Sequence, residues 1–84
     1  MIVRVRVRPR PGVLDPEGRA VQAALRDLGY RELAEVRTGK VFDLDIGTSD
    51  PARARELARE MCDKLLANPV IEQYEIDLLE PGRG

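Results

Sequence analysis

The chain has 84 residues, and its 14 Lys and Arg against 15 Asp and Glu give a formal net charge of −1. A chain of this length builds one small domain, and its near-neutral charge excludes a general attraction to nucleic acid or to an anionic membrane. It has no histidine and a single cysteine, Cys62, which excludes histidine-dependent triads and an intrachain disulfide. No apolar run approaches the ~20 residues of a membrane span. The lone cysteine, together with an N-terminus that does not resemble a signal peptide, leads us to expect a reducing, cytoplasmic setting.

The first segments predict a strand followed by a helix. Ile2 to Arg8 alternates valine with arginine, which is typical of a half-buried strand. Asp15 and Pro16 are suited to the N-cap and the first position of a helix, and Gly29 is suited to end it. The apolar residues between them fall at helical spacing: Val21, Ala24, Leu25 and Leu28.

The middle of the chain predicts a hairpin. Leu33 to Arg37 and Val41 to Ile46 flank Thr38-Gly39-Lys40, a short connection that contains glycine. In the second of these segments, Phe42 and its apolar neighbours alternate with aspartates. We therefore expect the second and third strands of the sheet here.

A second helix and a last strand complete the pattern. Asp50-Pro51 repeats the cap-and-proline signal, and Asn68-Pro69 marks the end of this helix. Gln73 to Leu78 then alternates polar and apolar residues, as a strand does.

The order of these elements predicts an α+β fold, a βαββαβ two-layer sandwich of the ferredoxin-like kind. It consists of a four-stranded antiparallel sheet, in spatial order 4-1-3-2, with two helices on one face. Residues 1–79 form the single domain of this prediction, and residues 80–84 form a frayed tail.

Three familiar binding chemistries are not supported by the residues. The glycines lack the spacing of a phosphate loop, and Asp43, Asp45 and Gly47 put a glycine where a calcium loop needs a ligand. The open face of the predicted sheet carries arginines among acids, while Phe42 and Tyr74 share the core side. An RNA-binding face needs aromatic platforms, so we expect no nucleic-acid binding.

Apolar residues outside the predicted core indicate self-association, because an 84-residue monomer would expose them. We expect a dimer or a tetramer. The candidate homo-oligomer face contains Ile2, Arg4, Arg6, Leu33, Val41 and Leu79.

One loop allows a different function. Pro11-Gly12-Val13-Leu14 is similar to the turn with which ACT-type regulatory domains bind amino acids, and those domains share this element order. An amino-acid-binding regulatory domain is therefore the alternative interpretation, although analogy of fold alone is a weak argument.

Three blocks, in this order and spacing, carry a more specific resemblance: GVLDPEGRAVQAALRDLGY, VRTGK and MCDKLLANPVIEQYEI. Together they resemble the PurS family, the small subunit of phosphoribosylformylglycinamidine synthase in purine biosynthesis. The chain departs from the common pattern at Glu17, where glutamine is usual, and at Arg10, where lysine is usual.

The resemblance implies a non-catalytic subunit with no cofactor of its own. A glutaminase subunit would release ammonia from glutamine, and a synthetase subunit would use ATP and magnesium to convert formylglycinamide ribonucleotide to the amidine. The small subunit would bridge the two and assist ammonia transfer. The candidate partner interface lies in three segments: Val13, Leu14 and Asp15; Arg37 and Lys40; and Asn68, Pro69 and Ile71.

Overall fold

The computed structural model describes residues 1–79, and the predicted tail at 80–84 lies outside them. The elements are strand β1 (Ile2–Pro9), helix α1 (Pro16–Asp27), strand β2 (Lys40–Asp45), helix α2 (Pro51–Met61) and strand β3 (Glu72–Leu79). A π-helical turn, Cys62–Leu66, extends α2. Both helices begin as the sequence predicts, each with an aspartate cap followed by proline.

The sheet is antiparallel, with β1 in the centre between β2 and β3. The register places Val5 of β1 opposite Phe42 on one side and Ile76 on the other. The valines of β1 are fully buried beneath α2, which presents the small side chains of Ala54 and Ala58. Because alanine lets a helix approach a sheet closely, the core is thin and aliphatic.

The predicted four-stranded sheet is wrong, because Leu33–Arg37 is not a strand within residues 1–79. The segment runs back along α1, whose side chains bind its backbone. Nε and Nη2 of Arg26 donate to the Leu33 carbonyl at 3.0 and 2.8 Å, and Oε1 of Gln22 accepts from the Val36 N–H at 3.2 Å. These contacts replace the strand pairing that the short alternation suggested.

The predicted hairpin turn fails at Gly39. Among residues 1–79, only Gly12 and Gly29 have a positive φ, so Gly39 does not supply the left-handed conformation of a tight hairpin turn. Glycine is needed here for a different reason: a Cβ at Gly39 would lie 2.8 Å from the Val7 carbonyl oxygen, so only a residue without a side chain fits. The chain passes close to β1 and runs directly into β2.

Helix α1 does not cover the sheet, so the prediction of two helices on one face is also wrong. Only Gly18, in its first turn, is buried. We call residues 16–37, which comprise α1 and the segment returning along it, the arm. The Cα radius of gyration is 16.2 Å, whereas a compact domain of this length would have about 12 Å. The arm stands away from the rest of the domain.

The π-helical turn brings the chain from α2 towards β3. The Ala67 N–H donates to the Cys62 carbonyl at 3.0 Å, and both residues are buried. Leu65 lies between them in the chain and is 84% exposed. Within residues 1–79, no helix has both the length and the apolar character needed to span a membrane.

Candidate functional site

A cleft of about 210 Å³ lies at the end of the sheet where β1 ends and β2 begins. Three connections meet there: residues 10–15, 36–40 and 68–72. Most of the cleft surface is apolar, and its walls include five residues of the predicted partner interface: Val13, Leu14, Asp15, Lys40 and Ile71. The fold therefore brings together segments that are far apart in the sequence.

Asp15 fastens the arm to this end of the sheet. Its Oδ1 accepts from the Gly18 N–H at 2.9 Å, which caps α1, and its Oδ2 accepts from the Thr38 N–H at 2.7 Å. The Thr38 hydroxyl adds a bond of 2.9 Å to Oδ1. The carboxylate is buried, and these donors, led by the Thr38 N–H, hold its pKa below the usual range.

Arg10 and Arg37 tie the three connections together through backbone carbonyls. Nε and Nη2 of Arg10 donate to the Pro69 carbonyl at 3.1 and 2.9 Å, and the Arg10 N–H donates to the Ile71 carbonyl at 2.9 Å. Nη2 of Arg37 donates to the Arg10 carbonyl at 3.2 Å. Both guanidinium groups therefore brace the loops around the cleft.

The third connection is a turn built on Asn68. Its Oδ1 accepts from the Val70 N–H at 3.0 Å, while its own N–H donates to Oε1 of Glu72 at 2.7 Å. This arrangement leaves Val70 79% exposed and Ile71 45% exposed. With Leu14, which is also exposed, Ile71 gives the cleft an apolar rim, and Val70 is its neighbour in the same turn.

All eight residues of the predicted interface lie at this end of the molecule, either in the cleft or in the loops bonded to it. Whether they contact a partner is still a prediction. Sequence reasoning missed the roles of Arg10, Thr38 and Gly18. A Cβ on Gly18 would lie 2.4 Å from the Val36 carbonyl oxygen. These residues are far apart in the sequence, and no pattern in the sequence predicts that they approach each other so closely.

The cleft has no arrangement suited to acid–base or metal chemistry in the described part of the chain. Three carboxylates line the cleft. Asp15 has its oxygens occupied by neighbouring donors, Glu72 accepts from the Asn68 N–H, and Glu17 is exposed. Residues 1–79 contain no cluster of His, Cys, Asp and Glu that could hold a metal ion. Cys62 is fully buried beneath the sheet, where burial and the nearby Asp63 raise the pKa of its thiol.

The predicted homo-oligomer face is only partly a continuous surface. Ile2 and Leu79 are opposite each other in the register of β1 and β3, and Arg6 is opposite Val41 on β2. Leu33 does not join them, because it lies on the arm and not in the sheet. The prediction that Leu33 belongs to this face is therefore wrong, because the predicted strand that contained it is not part of the sheet.

The arginines of β1 are paired with acids on both neighbouring strands, as the sequence predicts. Nε of Arg4 lies 2.9 Å from Oδ1 of Asp43, and Nη2 of Arg6 lies 2.9 Å from both Glu75 and Asp77. Ion pairs so evenly distributed leave no surplus of positive charge for a phosphate backbone.

Two apolar surfaces elsewhere have no partner within residues 1–79. One is the stripe along the arm, formed by Val21, Leu25, Leu28, Tyr30 and Leu33, of which Leu28 is 74% exposed. The other is a groove of about 340 Å³ between β2 and the end of α2, lined by Leu44, Leu57, Glu60, Met61, Lys64, Leu65 and Leu66. We call these surfaces the arm stripe and the α2 groove.

Comparison with known proteins gives a clear relationship. The family model for PurS, phosphoribosylformylglycinamidine (FGAM) synthase, matches residues 2–80. The chain belongs to the PurS family. The phosphoribosylformylglycinamidine synthase subunit PurS of Synechocystis is 49% identical over 79 residues, which cover 92% of this chain and 79% of that protein.

Solved structures give the same relationship. Bacillus subtilis PurS is 47% identical with a TM-score of 0.84, and the match covers 94% of this chain and 98% of that one. Methanocaldococcus jannaschii PurS, described as a subunit of formylglycinamide ribonucleotide amidotransferase in the purine biosynthetic pathway, is 43% identical with a TM-score of 0.81, covering 90% and 92%. A chain in the Thermotoga maritima PurLQS structure is 30% identical with a TM-score of 0.79, covering 94% and 99%.

Proposed function

We propose that this family member is the assembly subunit of its FGAM synthase. It joins the glutaminase subunit to the synthetase subunit in the cytoplasm and assists the transfer of ammonia between them. The observation that carries the proposal is the match over most of the chain to a chain of the Thermotoga maritima PurLQS structure. Family membership does not favour the amino-acid-binding ACT alternative.

We propose that the chain itself supplies no reacting group. Of the three carboxylates at the cleft, Asp15 is fully engaged in hydrogen bonds, Glu72 accepts one from the Asn68 N–H, and Glu17 is exposed. The one thiol is buried. ATP and magnesium would bind the synthetase subunit, which activates the amide oxygen of the nucleotide. A scaffold that holds two enzymes together raises the effective concentration of one enzyme's product at the other's active site. Ammonia escapes readily into bulk water, so this arrangement benefits the overall reaction.

The cleft with its apolar rim is the surface we assign to a partner subunit. Leu14, Val70 and Ile71 expose apolar area on loops that are braced by hydrogen bonds. Rigid apolar groups lose little conformational entropy on binding, which makes them suited to the centre of an interface. Lys40 adds a cation at the cleft wall.

We further propose that two copies of the chain pair. The arm stripe and the α2 groove both expose apolar area beyond what isolated surface residues explain. A second copy would cover them without any other partner. The net charge of −1 presents little repulsion between two copies.

The test of the assembly role is a reconstitution. The glutaminase and synthetase subunits of the same complex are assayed for formation of the amidine product from glutamine, with and without this chain, beside an ammonia-driven control. We expect glutamine-dependent turnover only when the chain is present, with the ammonia-driven rate nearly unchanged. Equal glutamine-dependent rates without the chain would refute the assembly role.

A further inference from the structure

The cleft at the end of the sheet has an apolar interior. Val7, which is buried, lies at its inner side, and the exposed Leu14 lies at its rim. The remaining apolar residues of its walls are Pro9, Val13, Pro16 and Ile71. Apolar walls release water when they meet an apolar group, and this release is favourable. The cleft therefore favours an apolar occupant.

The polar groups along the cleft already have partners within the domain. Asp15 accepts from the N–H groups of Gly18 and Thr38, and the Thr38 hydroxyl donates to the same carboxylate. Glu72 accepts from the Asn68 N–H. Among residues 1–79, every buried side-chain nitrogen and oxygen has a hydrogen-bond partner. A polar ligand would lose its bonds to water and gain no replacements inside the cleft.

The volume of the cleft, about 210 Å³, sets the size of the occupant. An apolar cavity of about 150 Å³ admits a molecule of benzene. One large apolar side chain, such as that of phenylalanine or leucine, therefore fits the cleft. A whole helix does not fit, because a helix with its side chains is about 10–12 Å across.

Two exposed charges of opposite sign lie beside this apolar surface. Glu17 is in the first turn of α1, and Lys40 is the first residue of β2. Neither side chain forms an ion pair with another residue of the described range. A segment with a base on one side of its apolar residue and an acid on the other would complement both charges.

The chain itself does not supply such a segment within residues 1–79, because none of its exposed large apolar residues stands between a base and an acid. Leu65, the most exposed of them, lies between Lys64 and a second leucine. Leu28 lies between Asp27 and a glycine. The occupant that complements the cleft therefore belongs to another protein and not to a second copy of this one.

We propose that the cleft receives one large apolar side chain of a partner subunit, carried on a loop between a basic and an acidic residue. The base lies against Glu17 and the acid against Lys40. This inference rests on the proposed assembly role and names the chemistry of the segment that binds. The apolar side chain supplies most of the affinity, as buried central residues do in protein interfaces, and the two charges fix the orientation of the loop.

The first test uses the full chain alone and two small molecules that share one ring. Toluene and free phenylalanine are titrated into the ¹⁵N-labelled chain, and the amide chemical shifts are followed. We expect toluene to move the signals of Val13, Gly39 and Ile71, which line the cleft. Free phenylalanine should leave them in place, because its charged ends find no partners inside.

Either opposite result would overturn the inference. If toluene leaves these signals unchanged, the cleft does not accept an apolar group. If free phenylalanine moves them as far as toluene does, the cleft is a site for a small amphiphilic molecule and not for a side chain of a partner protein.

The second test fills the cleft from its rim. Ile71→Trp places an indole at the opening, and Val41→Trp adds the same ring at an exposed position of β2 that does not line the cleft. Both variants should retain the circular dichroism spectrum, and only Ile71→Trp should lose the response to toluene. By calorimetry with each partner subunit, Ile71→Trp should weaken binding to one of them at least about tenfold, and Val41→Trp less than about threefold.

The charges are tested by a second pair of variants. Glu17→Lys should weaken binding to the same partner subunit at least about threefold at low salt and less at high salt, because screening reduces the repulsion of the partner's base. Glu32→Lys makes the same change at an exposed position at the far end of the arm and should leave the affinity unchanged. Equal affinities for these two variants would overturn the placement of the base.

Binding by the unchanged chain separates the two ways to fail. If neither partner subunit binds the unchanged chain, the assembly role and this inference fail together. If a partner subunit binds the unchanged chain and both tryptophan variants equally well, only this inference fails, and the reconstitution still decides the assembly role.

Discussion

The backbone N–H of Thr38 donates a hydrogen bond of 2.7 Å to Oδ2 of Asp15 across 23 positions of sequence. This bond connects the cap of α1 to the segment that returns from the end of the arm. Because it joins the arm's two ends, its loss should loosen the whole arm and not only the first turn of a helix.

Asp15→Asn should lower the Tm by roughly 5 °C, because an amide cannot accept all the hydrogen bonds that the carboxylate accepts. The pKa of Asp15 is depressed in the folded chain, first by the Thr38 N–H and then by the Gly18 N–H. Its stabilising contribution is therefore present above the unfolded pKa of about 4 and is lost as the pH falls through the folded pKa. Denaturant unfolding between pH 2 and pH 6 checks this.

The control for that experiment is Asp27→Asn, which changes an exposed acid at the other end of α1. It should retain both the Tm and the loss of stability in acid. If Asp15→Asn loses stability in acid as steeply as the unchanged chain, another carboxylate is responsible.

Gly18→Ala should destabilise the chain by about 2 kcal/mol or more, since the new Cβ would lie 2.4 Å from the Val36 carbonyl oxygen and 2.7 Å from Oδ2 of Asp15. Gly47→Ala is the matched control, because nothing lies within 4 Å of its Cβ position and its φ is not positive. That variant should be neutral or gain about 0.5 kcal/mol through the unfolded state. Urea unfolding of both variants gives the difference between their free energies of unfolding. Equal values would show that the backbone at Val36 shifts to accommodate the new methyl group without loss of stability.

The Cys62 thiol should react with an aromatic disulfide reagent at least about a hundredfold more slowly than the same thiol in denaturant. It is fully buried, and burial together with Asp63 raises its pKa, so little thiolate is present. Leu65→Cys in a Cys62→Ala chain places a thiol at an exposed position three residues along and should react rapidly as a monomer. A fast reaction at Cys62 in the folded chain would show that the end of α2 opens readily.

The pKa of Tyr74 should exceed its usual value of about 10, because the ring is partly desolvated and its hydroxyl donates to Oδ1 of Asp63 at 3.0 Å. The phenol's contribution to stability is present below about pH 10 and disappears as the pH rises through the folded pKa. Ultraviolet titration of a Tyr30→Phe chain isolates Tyr74. Adding Asp63→Asn should move the midpoint back towards 10, and an unchanged midpoint would assign the shift to desolvation alone.

Leu14→Glu should weaken binding of the chain to the partner subunits at least about tenfold, since it puts a charge on the apolar rim of the cleft. Ala52→Glu is the control, because it adds the same charge to the exposed first turn of α2, where an acid is favourable. Calorimetry with each partner subunit measures the difference. Equal affinities for the two variants would remove the cleft from the interface.

Local signals predicted those elements whose partners are close in sequence. Asp15-Pro16 and Asp50-Pro51 located both helix starts, and the alternation of β1 and β3 predicted which of their faces packs against the core. The same reasoning failed at Leu33–Arg37, because a strand exists only if an edge pairs with it. There the side chains of Arg26 and Gln22 bind the backbone instead, and that competition is not visible in a pattern of apolar residues.

The candidate site was predictable as three loops but not as a braced cleft. Proline, glycine and asparagine marked the turns, since these residues favour them locally. The bonds from Arg10 to the Pro69 carbonyl and from Arg37 to the Arg10 carbonyl depend on the three-dimensional arrangement of the loops. In the sequence, an arginine that donates hydrogen bonds to backbone carbonyls cannot be distinguished from one that binds a partner protein.

The uncovered arm also bears on how a cell would balance the amounts of its subunits. A copy without a partner displays Leu28 and Tyr30 on a projecting segment, and exposed apolar segments with few packed neighbours are readily cleaved by proteases. Copies made in excess would therefore be degraded first, while copies inside an assembly would be protected. On the proposed pairing, the arm would make the lifetime of each chain depend on whether it has been assembled.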